Sequence, residues 1–323
     1  MKRFRQAFAA LGLVVFSAAV WAEYPDRPIR WIVPFPAGGG TDVVSRLIAQ
    51  PMGKALRQNF VVDNRPGAAT MIGAEVVANA KPDGYTVGTV DVSTVALNPS
   101  LYADVRYNPA TDFEYIGGTA RFPFVLVVNS SIPVNNLQEL IALAKEKPGK
   151  LTYATPGLGG PNHLGMALFQ QKAGVALLHV PYKGDAPALQ DLIGGQVDMY
   201  LVNTAASLPY IQSGKVRAIA LAMASRSDAL PDVPTFAEAG VPDFEAYAWQ
   251  GLAAPAKTPK AVVDQLSAAL QTALADEAVK QRLKEMGVEP FPRTPDEFAA
   301  HVKAQGALWG DIIRKADIRL SNQ

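Results

Sequence analysis

The chain has 323 residues, 49% of them apolar and 18% charged, with 30 basic against 29 acidic side chains and no cysteine. That length and apolar share describe a globular protein with room for two domains, and the balanced charge speaks against a nucleic-acid partner. The lack of cysteine excludes disulfides, thiolate metal sites, thiol catalysis and a lipidated anchor residue.

At the N-terminus, Lys2, Arg3 and Arg5 precede a nearly all-apolar run over residues 7–21, and Val20 and Ala22 are small residues at the −3 and −1 positions of a cleavage site. Residues 1–22 therefore read as a secretory signal peptide. The run is shorter than the ~20 apolar residues that a membrane-spanning helix needs. Cleavage leaves 27 basic against 29 acidic residues, a net charge of −2, and the mature chain is expected free in an exported compartment.

The next stretch is Arg30-Trp31-Ile32-Val33-Pro34-Phe35-Pro36-Ala37-Gly38-Gly39-Gly40-Thr41-Asp42. A short apolar strand is ended by a Pro/Gly segment, and Thr41 stands where a helix N-cap belongs, ahead of Val43, Val44, Leu47 and Ile48. Glycines beside a helix start leave N–H groups unshielded and favour a bound anion, although a plain connector reads equally well from this loop alone. Asp42 has the simpler role of stabilising a helix N-terminus.

A helix over 42–56, a strand over 60–64, a helix over 72–80 and a strand over 85–90 follow, giving β-α-β-α-β, the order of an open sheet with helices on both faces. The third strand runs into a polar segment with Ser93 and Thr94 at a strand's carboxyl end, where ligands of open α/β sheets sit. Residues 122–128 are the most strand-like run, and a new α/β series after them places a crossover into a second lobe near 122. Leu151 to Thr155 is a strand that delivers Pro156-Gly157-Leu158-Gly159-Gly160-Pro161-Asn162-His163 into another helix. This repeats the first loop's design in the other half, so the pair suggests a clamp. Gly157 and Gly159 begin a G-x-G-x-x-G pattern that fails at Asn162, and neither loop ends like a P-loop. The strand 216–222 reads as a return to the first lobe, 228–235 as a surface loop, and the segment from 259 as an amphipathic helix. The lobes are thus expected at 23–121 plus about 226–323, and at 122–225.

No G-x-S-x-G elbow or H-E-x-x-H occurs, and His163, His179 and His301 show no ligand spacing, so neither an enzyme nor a metal site or other cofactor is expected.

The chain resembles the extracytoplasmic solute-binding proteins of tripartite tricarboxylate transporters, the Bug family of the TctC type. The segments that carry the resemblance run in order: Val33 through Asp42, Asn64-Arg65-Pro66-Gly67-Ala68, Pro82-Asp83-Gly84-Tyr85-Thr86, Asn98-Pro99-Ser100-Leu101-Tyr102, Pro181-Tyr182-Lys183-Gly184, Gly194-Gly195-Gln196-Val197-Asp198, Leu230-Pro231-Asp232-Val233-Pro234-Thr235 and Trp249-Gln250-Gly251-Leu252-Ala253-Ala254-Pro255. The resemblance implies a periplasmic, two-lobed α/β fold of the type II periplasmic binding protein class, each lobe an open sheet flanked by helices, with a cleft between. It implies a monomer that takes a small carboxylate, either a di- or tricarboxylate or an aromatic one, and hands it to integral membrane transporter subunits. The ligand residues it implies are Phe35, Ala37, Gly38, Gly39, Thr41 and Asp42 in one lobe and Thr155, Gly157, Gly159, Gly160, Asn162 and His163 in the other. Ser93 and Thr94 rank second, and Asp185 and Asn203 lie in loops that would set selectivity. Val95 and Val202 stand where relatives commonly carry a polar residue and an acid, which weighs against an amino-acid ligand. A sensor for a membrane signalling partner would share the site, and a hydrolase-like enzyme is the more distant alternative.

Overall fold

The computed structural model describes residues 24–321; the signal-peptide reading over residues 1–22 lies outside them. In the first lobe, β1 (Ile29–Val33), β2 (Phe60–Asn64) and β3 (Thr86–Asp91) are parallel in the order β2-β1-β3, joined through α1 (Gly40–Leu56) and α2 (Met71–Ala78). Strand alternation sends Trp31 and Val33 to one face and Ile32 to the other. Val44, Ile48 and Met52 of α1 cover the first face, and Met71, Ala74 and Val77 of α2 cover the second. Apolar strands buried on both faces in this way require parallel pairing with helical crossovers.

After β3 the chain does not form the open polar loop expected from its composition. Residues 93–97 coil into a wide helical turn that continues as α3 (Asn98–Leu101). The strand expected over 122–128 is the second half of a longer one, β4 (Phe113–Asn129), 17 residues long.

The second lobe follows as α4 (Leu137–Glu146), β5 (Thr152–Thr155), α5 (Pro161–Ala173), β6 (Leu178–Pro181), α6 (Asp185–Ile193), β7 (Met199–Asn203), α7 (Thr204–Gln212) and β8 (Val216–Leu221). Its sheet runs β4-β7-β5-β6, with β5 parallel to both neighbours and β8 on the other edge of β4. The chain then returns through β9 (Tyr247–Pro255) and ends with α8 (Lys260–Ala275), α9 (Glu277–Glu285), β10 (Glu289–Arg293) and α10 (Pro295–Lys315).

β4 belongs to both sheets. Residues 113–123 pair with β9 in the first lobe, and residues 124–129 pair with β7 and β8 in the second. The partners change between Pro123 and Phe124, and Phe122 and Pro123 face Ala248 and Tyr247 on the returning strand. The lobes are therefore joined by two adjacent strands, a narrow antiparallel ribbon suited to bending.

The return itself differs from the sequence reading. β8 stays in the second lobe, and residues 222–246 pack there too: Leu221 bridges Thr235, while Phe236 and Phe244 stack at 3.9 Å and both meet Phe169 of α5. The segment 226–246, placed in the first lobe from sequence, thus lies on the second. It has no apolar periodicity because its anchors are single rings.

α10 seats the C-terminal region across the join. Gly251 of β9 leaves no room for a side chain, since a Cβ there would lie 2.1 Å from Phe298 Cζ of α10 and 2.6 Å from the Gly117 carbonyl oxygen. Beyond α10, Leu320 N donates to Leu101 O at 3.0 Å, and the Leu320 side chain covers Gly159 of the second lobe.

Candidate functional site

The carboxyl ends of β1, β3, β5 and β7 deliver helix starts toward one cavity of about 420 Å³ between the lobes. The first loop is shaped by its glycines. Gly38 adopts φ +81°, a conformation costly for other residues. Gly39 caps α1 in an extended conformation with no side-chain hydrogen bond, so nothing shields the first-turn N–H groups. The cavity is lined here by Phe35, Gly39, Gly40 and Thr41.

Asp42 is not in the lining. It is 2% exposed, accepts Gly38 N at 2.8 Å and Asn64 Nδ2 at 2.9 Å, and pairs with Arg46 Nε at 3.0 Å. These partners hold the carboxyl below its usual range despite the opposing effect of burial, which is the largest single influence on it. With both oxygens engaged inside the protein, Asp42 fixes the loop, and Asn64 helps by donating to Phe35 O at 2.9 Å. Ala37 and Gly38 likewise shape the loop without lining the cavity.

The second loop is built alike. Gly160 caps α5 without a side-chain bond, Pro161 takes the first helical position, and Pro161 and Asn162 line the cavity. Asn162 is anchored by donating Nδ2 to Leu201 O at 2.8 Å. Thr155 and His163 support the loop from behind. Thr155 Oγ1 lies 2.6 Å from His179 Nε2 and donates to Gly157 O at 2.9 Å, and His163 Nδ1 accepts Gly159 N at 3.1 Å. His163 stacks on His179 with ring centroids 4.1 Å apart, and His179 stacks on Tyr153 at 4.8 Å. Burial, reinforced by neighbouring His179, pushes His163 down to about 4, so the ring is neutral at physiological pH.

Three more chain turns reach the cavity. Ser93 lines it, but Thr94 is fully buried and donates to Asp91 Oδ1 through N at 3.0 Å and Oγ1 at 2.5 Å. Asp185 opens α6 and accepts a short hydrogen bond from Tyr200 OH. Asn203 caps α7, its Oδ1 accepting Ala205 N at 2.9 Å. Gly157, Gly159 and Gly160 do not line the cavity, while Phe35, Gly39, Thr41, Ser93, Asn162, Asp185 and Asn203 do.

Sequence reasoning missed Asp91, Phe122, Phe124, Trp249 and Gln250, which complete the wall. Asp91 and Gln250 are cross-strand partners on β3 and β9, a pairing that no local motif announces. Burial raises the Asp91 carboxyl, opposed by hydrogen bonds from Thr94 and Ser93. Val95, expected near the ligand, is 3% exposed and lines a different cavity, and Val202 is fully buried in the second core.

That other cavity, about 890 Å³, is larger but lies wholly on the first lobe. A third cavity, about 550 Å³, also lies between the lobes, walled by Arg226, Lys280 and Lys284. Among the described residues the 420 Å³ cavity is the one that receives helix starts from both lobes, and no Lys, Arg or His lines it. With Asp91 and Asp185 in its lining and no cationic side chain, its attraction for a small anion has to come from aligned peptide dipoles and unpaired N–H groups. Among the described residues no group of His, Asp or Glu is arranged to hold a metal, and no helix is long and apolar enough to cross a membrane.

The sequence model of the tripartite tricarboxylate transporter family receptor, TctC, matches residues 44–318. Protein BugT of Bordetella pertussis is 36% identical over 318 residues, covering 97% of this chain and 98% of that protein. The solved structure of periplasmic binding protein BugD is 39% identical with a TM-score of 0.75, covering 92% of this chain and 100% of the other. A Rhodopseudomonas palustris protein solved with adipate is 37% identical with a TM-score of 0.78, covering 92% and 100% of the two chains.

Gly39 has φ −72°, and a Cβ there would meet only the Pro36 carbonyl oxygen at 3.4 Å, so a side chain fits the fold but intrudes on the cavity. Gly39→Val is expected to keep its unfolding midpoint within a few degrees and to lose at least tenfold in affinity for any carboxylate ligand, measured by titration calorimetry.

The neutral His163 also predicts a pH response. From pH 6.5 down to about 4 the unfolded chain takes up a proton that the folded ring refuses, so stability falls as pH drops through that window. The loss attributable to this ring is about 3 kcal/mol. Denaturant titrations at pH 7 and 4.5 should show a smaller loss in His163→Gln than in the native chain.

Proposed function

The chain belongs to the TctC family of tripartite tricarboxylate transporter receptors, periplasmic solute-binding proteins and not enzymes, and on that premise we propose that its cleft captures a small organic carboxylate and presents it to integral membrane transporter subunits. The observation that carries this reading is the convergence of unshielded helix starts from both lobes on a cavity that no cationic side chain lines. The relative solved with adipate supports the ligand class.

Magnitudes decide how the lobes share the work. A charged hydrogen bond contributes ~1.5–3 kcal/mol and a helix N-terminus ~0.3–1, or ~2 when partly buried. Micromolar binding needs about 8 kcal/mol after an association cost of at least ~4. A single loop with two or three free N–H groups falls short of that sum. The carboxylate therefore binds one lobe first and is enclosed when the β4–β9 ribbon bends, as in hinge closure generally. The gripping groups are the N–H donors around Gly39, Gly40 and Thr41 on one side and Asn162 on the other. Ser93, Asp185 and Asn203 contact the remainder of the ligand. Thr155, Gly157, Gly159, Gly160 and His163 hold the second loop in position, and closure exposes a new lobe surface for the membrane subunits to read.

A thermal-shift panel of monocarboxylates, dicarboxylates, aromatic carboxylates, amino acids and neutral sugars tests the reading. At a hundredfold excess over Kd a true ligand adds ~2.7 kcal/mol of stability, which should appear as a rise of several degrees for at least one carboxylate. A shift produced only by neutral sugars would refute carboxylate capture.

A further inference from the structure

The cleft carries acceptors that a simple carboxylate cannot satisfy. Its only acidic or basic lining side chains are Asp91, from the first lobe, and Asp185, from the second. Tyr200 OH donates to Asp185 Oδ1, and Oδ2 receives no hydrogen bond among the described residues. Asp91 stands opposite Gln250 in antiparallel register, which puts both side chains on one face of the sheet. Gln250 lines the same cavity, is 1% exposed, and its Oε1 is buried with no hydrogen-bond partner among the described residues. An unpaired buried acceptor is costly, and a donor brought by a ligand removes that cost.

The charges point the same way. One carboxylate is matched by the helix starts of α1 and α5. A second carboxylate on the ligand would enter a space walled by two acids and an orphan carbonyl oxygen, with no cation to offset it. A protonated amine in that space meets up to three acceptors, from Asp185, Asp91 and Gln250. We infer that the ligand is a zwitterion, an amino-substituted carboxylate whose ammonium group is taken by Asp185 and the Asp91–Gln250 pair. This inference rests on the carboxylate reading given above and departs from the expectation drawn from Val202. That residue points into the second core, so its apolar character does not bear on the ligand.

The test uses matched pairs that differ only in the amine: 4-aminobutyrate with butyrate, L-glutamate with glutarate, and L-alanine with propionate, each titrated calorimetrically into the purified protein at pH 7. For the pair that fits the cavity, the amine-bearing member should bind at least tenfold more tightly. Asp185 is exposed at the start of α6, so Asp185→Asn should fold normally. It should reduce that preference at least fivefold, read as the ratio of the two affinities within each pair, and Asp185→Glu should recover part of it. If a plain acid binds as tightly as its amino partner or more so, the zwitterion inference is overturned while carboxylate capture stands. If no member of any pair binds, and no other carboxylate does, both fail together.

Discussion

An anion site without a formal cation, as proposed for the cleft, has to be made from backbone, and that constraint accounts for how the loops around it are built. A helix start leaves its first-turn N–H groups without intrahelical partners, so a helix that contributes must start at the cavity and must not be capped by its own side chain. Gly39 and Gly160 meet this condition at α1 and α5. Helices that start together require strands that end together, which parallel β1 and β3 in one lobe and parallel β5 and β7 in the other provide. Two polar side chains beside the loops, Asp42 and His163, turn into the protein and hold the loops in place. Asp42 ties Gly38 to Arg46 and Asn64, and His163 ties Gly159.

Two connections between the lobes complement each other. The β4–β9 ribbon is one, and β4 exchanges partners within it between Pro123 and Phe124, where the proposed closure would bend it. The C-terminal segment supplies a second contact, with Leu320 hydrogen-bonded to Leu101 and lying on Gly159, a glycine at φ +73° where a Cβ would approach Leu320 to 2.5 Å. Sequence change in this segment reaches the second ligand loop without touching ligand.

Local structure was legible in the sequence where local chemistry determines it. The Pro/Gly stretch before Thr41 and its counterpart before Asn162 could only be strand-to-helix turns, and the two-lobed α/β order followed from alternating apolar runs. What could not be read depends on long-range pairing. Gln250 faces Asp91 because β9 inserts between β3 and β4, and nothing around either residue encodes that insertion. Residues 222–246 fold onto the second lobe through Phe236 and Phe244, two rings in a stretch otherwise rich in turn residues. Val95 lies next to Thr94 and Ser93 in sequence, yet the helical turn after β3 rotates it away from the cleft, a rotation invisible while the segment is read as an open loop.

Whether backbone N–H groups at the helix starts grip the carboxylate is read most directly from amide chemical shifts recorded during titration with a carboxylate that raises the melting temperature. Downfield movement of the Gly39, Gly40, Thr41 and Asn162 amide protons, saturating with the calorimetric isotherm, is the predicted result. Unmoved amides at those four positions, with shifts confined to the first-lobe cavity around Lys260 and Lys303, would contradict it.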